Sequence, residues 1–175
     1  MLDRWLQSTK DFHALAVAIV RVIHPNLYDA AMTVASRISA DENMNHHIKR
    51  WALPFTAVSL ISNRETIKHR DLKTGETMYD LLFSVGPYQY TELELSQVNL
   101  RISYPPGTAV GLTGRLLLHG VPACKESRLC QAYYFREHVF QRCRVMDPGF
   151  MRQEWYKDFI YRPDRYLGRN LDTLR

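Results

Sequence analysis

At 175 residues, 46% of them apolar, the chain has the material for one globular domain with a real core. It holds no run of about 18 apolar residues, which argues against a membrane-spanning helix, and its three cysteines fit reduced thiols rather than a disulfide framework. A formal charge of +5 and a pI near 9.2 permit attraction to a polyanion such as nucleic acid without requiring it.

The opening string Met1-Leu2-Asp3-Arg4-Trp5 lacks the basic start and apolar stretch of a secretory leader, so the expected compartment is the cell interior. Phe12, Leu15, Ala16, Ile19, Val20 and Ile23 recur at three- and four-residue steps and predict an amphipathic helix with its stripe on a core. Pro25 interrupts it, and its fixed φ suits the first turn of a second helix carrying Leu27, Ala31, Val34 and Ile38. Residues 41–50 are polar and read as a surface loop, with His46 and His47 in solvent rather than on a metal.

After Trp51 the pattern changes to short β-rich runs at 55–62, 78–85, 100–104, 109–112, 115–118 and 129–135. Turn residues separate several of them, at Lys73-Thr74-Gly75, Gly86-Pro87, Pro105-Pro106-Gly107 and Thr113-Gly114. Many short strands predict a sandwich or jelly roll, and helices before strands is the α+β order. The expected division of this single domain is helical support over 1–50, a jelly-roll core over 51–140 and an extension over 141–175. The extension carries Trp155, Tyr156, Phe159, Tyr161, Arg162, Arg165, Tyr166 and Arg169. Rings this dense bury area, so it is expected to dock on the sheet, with a nucleic-acid platform as the alternative.

His69-Arg70-Asp71-Leu72-Lys73 spells the opening of a protein-kinase catalytic loop. That loop needs an Asn five positions beyond its Asp, where this chain has Glu76. Only 68 residues precede the motif, and neither a glycine-rich phosphate loop nor an Asp-Phe-Gly accompanies it. The kinase reading fails. As His-x-Asp on a strand edge, His69 and Asp71 project from one side, because side chains alternate along a strand. With a histidine from a distant strand they make a 2-His-1-carboxylate facial triad, which leaves positions on Fe(II) open for co-substrate and oxygen. His119 closes the run 107–120 and is the candidate third ligand. Nine residues later Arg128 opens the final apolar run, and a guanidinium offers a fork to the far carboxylate of 2-oxoglutarate. A hairpin-like return would put Arg128 on the strand beside that of His119. Cys124, Cys130, Cys143 and His138 match no familiar zinc spacing and are expected as free side chains.

These residues resemble the TET/JBP-like branch of the 2-oxoglutarate Fe(II) dioxygenases, its fungal members especially, over 55–139. The resemblance is carried by His69-Arg70-Asp71, by Tyr104-Pro105-Pro106-Gly107-Thr108 into Leu118-His119-Gly120-Val121, and by Arg128-Leu129-Cys130-Gln131-Ala132-Tyr133-Tyr134-Phe135-Arg136. It implies a double-stranded β-helix, a cupin-like jelly roll, buttressed on one sheet by the N-terminal helices. It also implies iron on His69, Asp71 and His119, 2-oxoglutarate on Arg128, and oxidation of the methyl group of 5-methylcytosine, or of thymine, in nucleic acid, with the nucleus as the expected compartment. Tyr134, six past the arginine, matches the tyrosine that stacks on the flipped target base, and parity puts Arg128, Cys130, Ala132 and Tyr134 on one face. The chain departs from vertebrate-type members at Cys130 and Arg136, where they carry Ser and His, and at Thr74, where some members carry Asn. Two alternatives stay open. One is a hydroxylase of a protein side chain or small molecule on the same iron; the other is a non-catalytic jelly roll that binds nucleic acid or protein.

Overall fold

The apolar stripes of the N-terminal third become α1 (Leu2–Ser8), α2 (Lys10–Ile23) and α3 (Pro25–Ser39) in the computed structural model, which describes residues 2–154 together with Lys157 and Tyr161. Helix α3 buries Leu27, Ala31 and Val34, as its pattern predicts. Helix α2 is turned slightly from the expected stripe: it buries His13, Ala16 and Val20, while Leu15 stays 52% exposed. A polar chain accounts for the turn. Gln131 Nε2 donates to the Tyr133 hydroxyl at 2.6 Å, that hydroxyl lies 2.6 Å from His13 Nδ1, and His13 Nε2 lies 2.8 Å from Thr9 Oγ1. Burial lowers the His13 pKa, so the neutral ring accepts on one side and donates on the other.

His24 links helices to sheet. Its Nδ1 accepts from Leu27 N at 3.2 Å, capping α3, and its Nε2 donates to Thr77 O at 3.0 Å. The bond accepted at Nδ1 needs the neutral ring, and burial holds the His24 pKa below its ordinary 6.5. The unfolded chain therefore takes up the proton first, and the stability present above about pH 6.5 is lost as pH falls toward the lowered folded pKa. Urea midpoints should fall between about pH 7.5 and 5.5, and fall less steeply in His24→Asn, which keeps a capping oxygen but cannot titrate. Identical slopes in the two proteins would remove His24 as the cause.

Residues 41–50, expected as a loop, instead form α4 (Glu42–Ile48), begun by Asp41, whose carboxylate accepts from Asn43 N at 2.9 Å. Ile48 is the buried residue of this short helix, so there is no periodic stripe to read. His46 and His47 are exposed, as expected.

Strands β1 (Ala57–Ser62), β2 (Thr66–His69), β3 (Asp80–Val85), β4 (Glu92–Leu95), β5 (Leu100–Ser103), β6 (Ala109–Leu112), β7 (His119–Val121) and β8 (Leu129–Tyr134) follow, then α5 (Glu137–Arg142). They form two four-stranded antiparallel sheets, ordered β1-β8-β3-β6 and β2-β7-β4-β5. First and last strands pair, and the chain crosses from sheet to sheet between such pairs. That is the double-stranded β-helix, and the α+β jelly-roll expectation holds. The run at 115–118 is a correction: it is a turn, with the amides of Leu116 and Leu117 each 3.0 Å from Thr113 O, and the strand begins after it at His119. β4 is absent from the expected strands although Glu92-Leu93-Glu94-Leu95 alternates strictly, with both leucines buried.

The helices pack on the outer face of the first sheet, where Ala16, Val20, Leu27, Ala31 and Val34 meet Leu81, Phe83 and Tyr133. A second core fills the roll with Leu82, Leu93, Leu95, Tyr104, Leu112, Cys130, Ala132 and Tyr134. Strand parity sends Tyr133 to the helices and Cys130, Ala132 and Tyr134 into the roll, as expected. All three cysteines are free thiols. Among the described residues, no helix is long and apolar enough to cross a membrane. Of the aromatic and basic extension, Trp155, Tyr156, Phe159, Arg162, Arg165, Tyr166 and Arg169 lie outside the described residues.

Candidate metal centre

His69 ends β2 and His119 opens β7, and the two are direct partners across the antiparallel ladder. The pairing, beside a register irregularity between Thr66 and His69, sets the imidazoles 4.5 Å apart between centroids. Asp71 corrects the strand-edge reading in part: it lies beyond β2, in a turn held by Asp71 N to Gly114 O at 2.9 Å and Thr74 N to Asp71 O at 3.0 Å. Each imidazole is oriented alike. His69 Nδ1 donates to Ile67 O and His119 Nδ1 to Leu117 O, both at 2.8 Å. With Nδ1 carrying the proton, each Nε2 keeps its lone pair for a metal.

Those lone pairs converge on the carboxylate. His69 Nε2 lies 3.8 Å from Asp71 Oδ1 and His119 Nε2 3.5 Å from Asp71 Oδ2, and one ligand atom from each of the three residues falls within 4.8 Å of the others. The spacing is too wide for direct hydrogen bonds and short enough for one cation to span. Burial lowers the His119 pKa and the neighbouring His69 adds to the effect, against the Leu117 carbonyl and Asp71, so His119 is presented as a neutral ligand.

Among the described residues, the buried side-chain polar atoms without a hydrogen-bond partner are Asp71 Oδ2, Asp80 Oδ2 and Arg128 Nη2. Such orphans are rare in folded proteins, and an unfilled ion or ligand site is one of the few explanations for them. Two imidazoles and a carboxylate suit Fe(II) with open positions, so the donor set fits that metal. Sequence reasoning missed Asp80 and missed the role of Gly114. Thr74 Oγ1 donates to Asp80 Oδ1 at 2.9 Å, and burial, then the charge of Asp71, holds the Asp80 pKa well above the usual carboxylate range. A Cβ on Gly114 would stand 2.2 Å from Asp80 Oδ2 and 2.7 Å from Asp71 Oδ2, so only glycine leaves room for both carboxyl groups. No motif marks Asp80, and Gly114 is marked only as a turn residue; they meet only through the fold.

Arg128 is 3% exposed and stands just before β8. β8 pairs with β1 and β3, not with β7, so the hairpin expectation is wrong: the chain crosses to the other sheet after β7, and Arg128 enters from the opposite wall of the roll. Its backbone is clamped by Asn63, whose Oδ1 accepts from Arg128 N and whose N donates to Arg128 O, both at 2.8 Å. Its Nε donates to Ser84 Oγ at 3.1 Å, and its guanidinium lies over the Tyr104 ring, 5.3 Å from the centroid. At the end of β3, Gly86 has φ 139 and lies so near Ser127 O that a Cβ would be 2.4 Å away. A buried guanidinium with a free N–H is a seat for an anion.

Tyr134, 6% exposed, lines with His69 a cavity of about 510 Å³ between the edge strands β1 and β2. Ser59, Ile61, Arg64, Thr66 and Ile67 complete much of its wall. The Arg136 guanidinium covers one face of the Tyr134 ring at 4.2 Å. Burial raises the Tyr134 pKa, and the charges of Asp71 and Asp80 raise it further, so the phenol stays protonated beside the carboxylates.

A family model described as the oxygenase domain of the 2OGFeDO superfamily, Tet_JBP, matches residues 3–137. Among curated proteins, none matches the chain. Solved structures similar to it include an RmlC-like cupin protein from Desulfovibrio desulfuricans, at 16% identity over 44% of this chain and 71% of that one, with a TM-score of 0.32. A cupin 2 conserved barrel domain protein from Salinispora arenicola matches at 16% identity over 50% of this chain and 68% of that one, TM-score 0.37. Hydroxypropylphosphonic acid epoxidase from S. wedmorenis matches at 12% identity over 45% and 42%, TM-score 0.32.

Proposed function

The chain belongs to the Tet_JBP oxygenase-domain family of the 2OGFeDO superfamily, and from that premise we propose that it oxidises the methyl group of 5-methylcytosine, or of a related base, in nucleic acid. Membership makes it a 2-oxoglutarate- and Fe(II)-dependent oxygenase. Iron with bound 2-oxoglutarate supplies oxidising power that imidazoles and carboxylates lack.

In this reading His69, Asp71 and His119 hold the metal, and Arg128 holds the far carboxylate of 2-oxoglutarate. The observation that carries it is the convergence of three ligand atoms within 4.8 Å at a site where Asp71 Oδ2, inside the triad, and Arg128 Nη2, on the opposite wall, are both buried and unpartnered. The backbone bonds from Nδ1 of each histidine fix the lone pairs before any ion arrives. Tyr134 and His69 line the cavity that would receive the substrate.

The substrate class rests on charge and space. Exposed Arg70 and Lys73 lie in the metal-binding turn and exposed Arg64 lines the cavity, on a chain of formal charge +5, which favours a polyanion. A cavity of about 510 Å³ accommodates a single base turned out of its stack. Succinate release is expected to rise several-fold with methylated over unmethylated DNA of the same sequence. Equal rates would sink the methylated-base assignment, and acceleration by a peptide or small metabolite instead would give the same centre a different substrate.

A further inference from the structure

The seat of Arg128 contains more than its own side chain. Ser84, on β3, is fully buried, and Tyr88 is 2% exposed four residues on. Arg128 Nε lies 3.1 Å from Ser84 Oγ, Ser84 Oγ lies 2.5 Å from the Tyr88 hydroxyl, and that hydroxyl lies 2.7 Å from Tyr104 O. The Tyr88 hydroxyl is the donor at the centre of this chain. A carbonyl only accepts, so the Tyr88 hydroxyl donates toward Tyr104 O. The same hydroxyl also donates toward Ser84 Oγ, so Ser84 Oγ accepts from Tyr88 on one side and from Arg128 Nε–H on the other, with its lone pairs committed to both. Tyr104 closes the circuit, because its carbonyl ends the chain and its ring lies under the guanidinium.

We propose that Ser84 and Tyr88 are positioning residues for the co-substrate: their proton-ordered hydroxyl chain locks the Arg128 guanidinium so that its free Nη2 faces the far carboxylate of 2-oxoglutarate. The proposal rests on the assignment of Arg128 to that carboxylate. A serine held as an acceptor cannot turn its proton against Nε–H, so the fork is fixed before the ligand arrives and less ordering is left for binding. Neither hydroxyl touches the metal ligands, so loss of the chain should weaken one end of the co-substrate and leave the other alone.

The test uses protein loaded with Mn(II) and two ligands, 2-oxoglutarate and 2-oxopentanoate, which share the chelating end and differ in the far carboxylate. Tyr88→Phe, which keeps the ring volume, and Ser84→Ala are each expected to weaken 2-oxoglutarate about tenfold by calorimetry, the scale of a lost hydrogen bond to a charged group. Affinities for Mn(II) and for 2-oxopentanoate should not move. Equal weakening of both oxo acids would mean general damage to the pocket and overturn the proposal, as would unchanged 2-oxoglutarate affinity in both variants. Wild-type protein that bound the two oxo acids alike would instead remove Arg128 from the far carboxylate, and the positioning role with it.

Discussion

His119→Ala is expected to abolish metal binding and, with it, turnover. His119 is 3% exposed, its ring is fixed by the 2.8 Å bond to Leu117 O, and its Nε2 faces Asp71 Oδ2 at 3.5 Å. Replacing a group that merely orients a metal ligand costs on the order of 10–100-fold in affinity, so loss of a ligand itself should exceed about a hundredfold. Titration with Mn(II) followed by calorimetry measures this directly. His46→Ala is the control: His46 is exposed on α4, and its loss should leave affinity unchanged. Undiminished Mn(II) binding by His119→Ala would show that the triad is not the metal site.

Arg128→Met should separate co-substrate binding from folding. Methionine keeps the apolar reach of the side chain but removes the fork. Because the guanidinium is buried with Nη2 unpartnered, a far carboxylate there would gain a charge-assisted bond in a site sheltered from water. Truncating one partner of a buried charged pair costs about 2–5 kcal/mol, so the 2-oxoglutarate dissociation constant should rise about a hundredfold. The protein without ligand should melt no lower than wild type, since a buried charge lacking a full set of partners adds little stability. Thermal shifts with and without 2-oxoglutarate read both effects: the ligand-induced rise should vanish in the variant while the baseline holds. A retained ligand-induced rise would place the carboxylate elsewhere.

The parts of this protein legible in its sequence are those with local or periodic causes. Leu27, Ala31 and Val34 mark the buried face of α3 because a helix repeats every 3.6 residues, and Pro25 marks its start because proline suits a first turn. Parity alone put Cys130, Ala132 and Tyr134 on one side of β8. Where the cause is not periodic, the reading slips. α4 is held by the Asp41 cap and buried Ile48, too few signals to tell from a loop, and 115–118 looks like a strand because three leucines in a turn imitate one.

The chemistry divides along the same line. His69, Asp71, His119 and Arg128 could be picked out as candidates from residue type and order, because two imidazoles and a carboxylate suit Fe(II) and a guanidinium suits a carboxylate. Their arrangement could not. That His69 faces His119 is a property of strand register, that Arg128 arrives from the other sheet is a property of the crossover after β7, and that Asp80 and Gly114 crowd Asp71 is a property of both turns together. Sequence determines which groups are available and which local elements carry them. Only the closure of the two sheets decides which meet, because contacts between residues far apart in the chain depend on the packing of the whole roll rather than on any local preference.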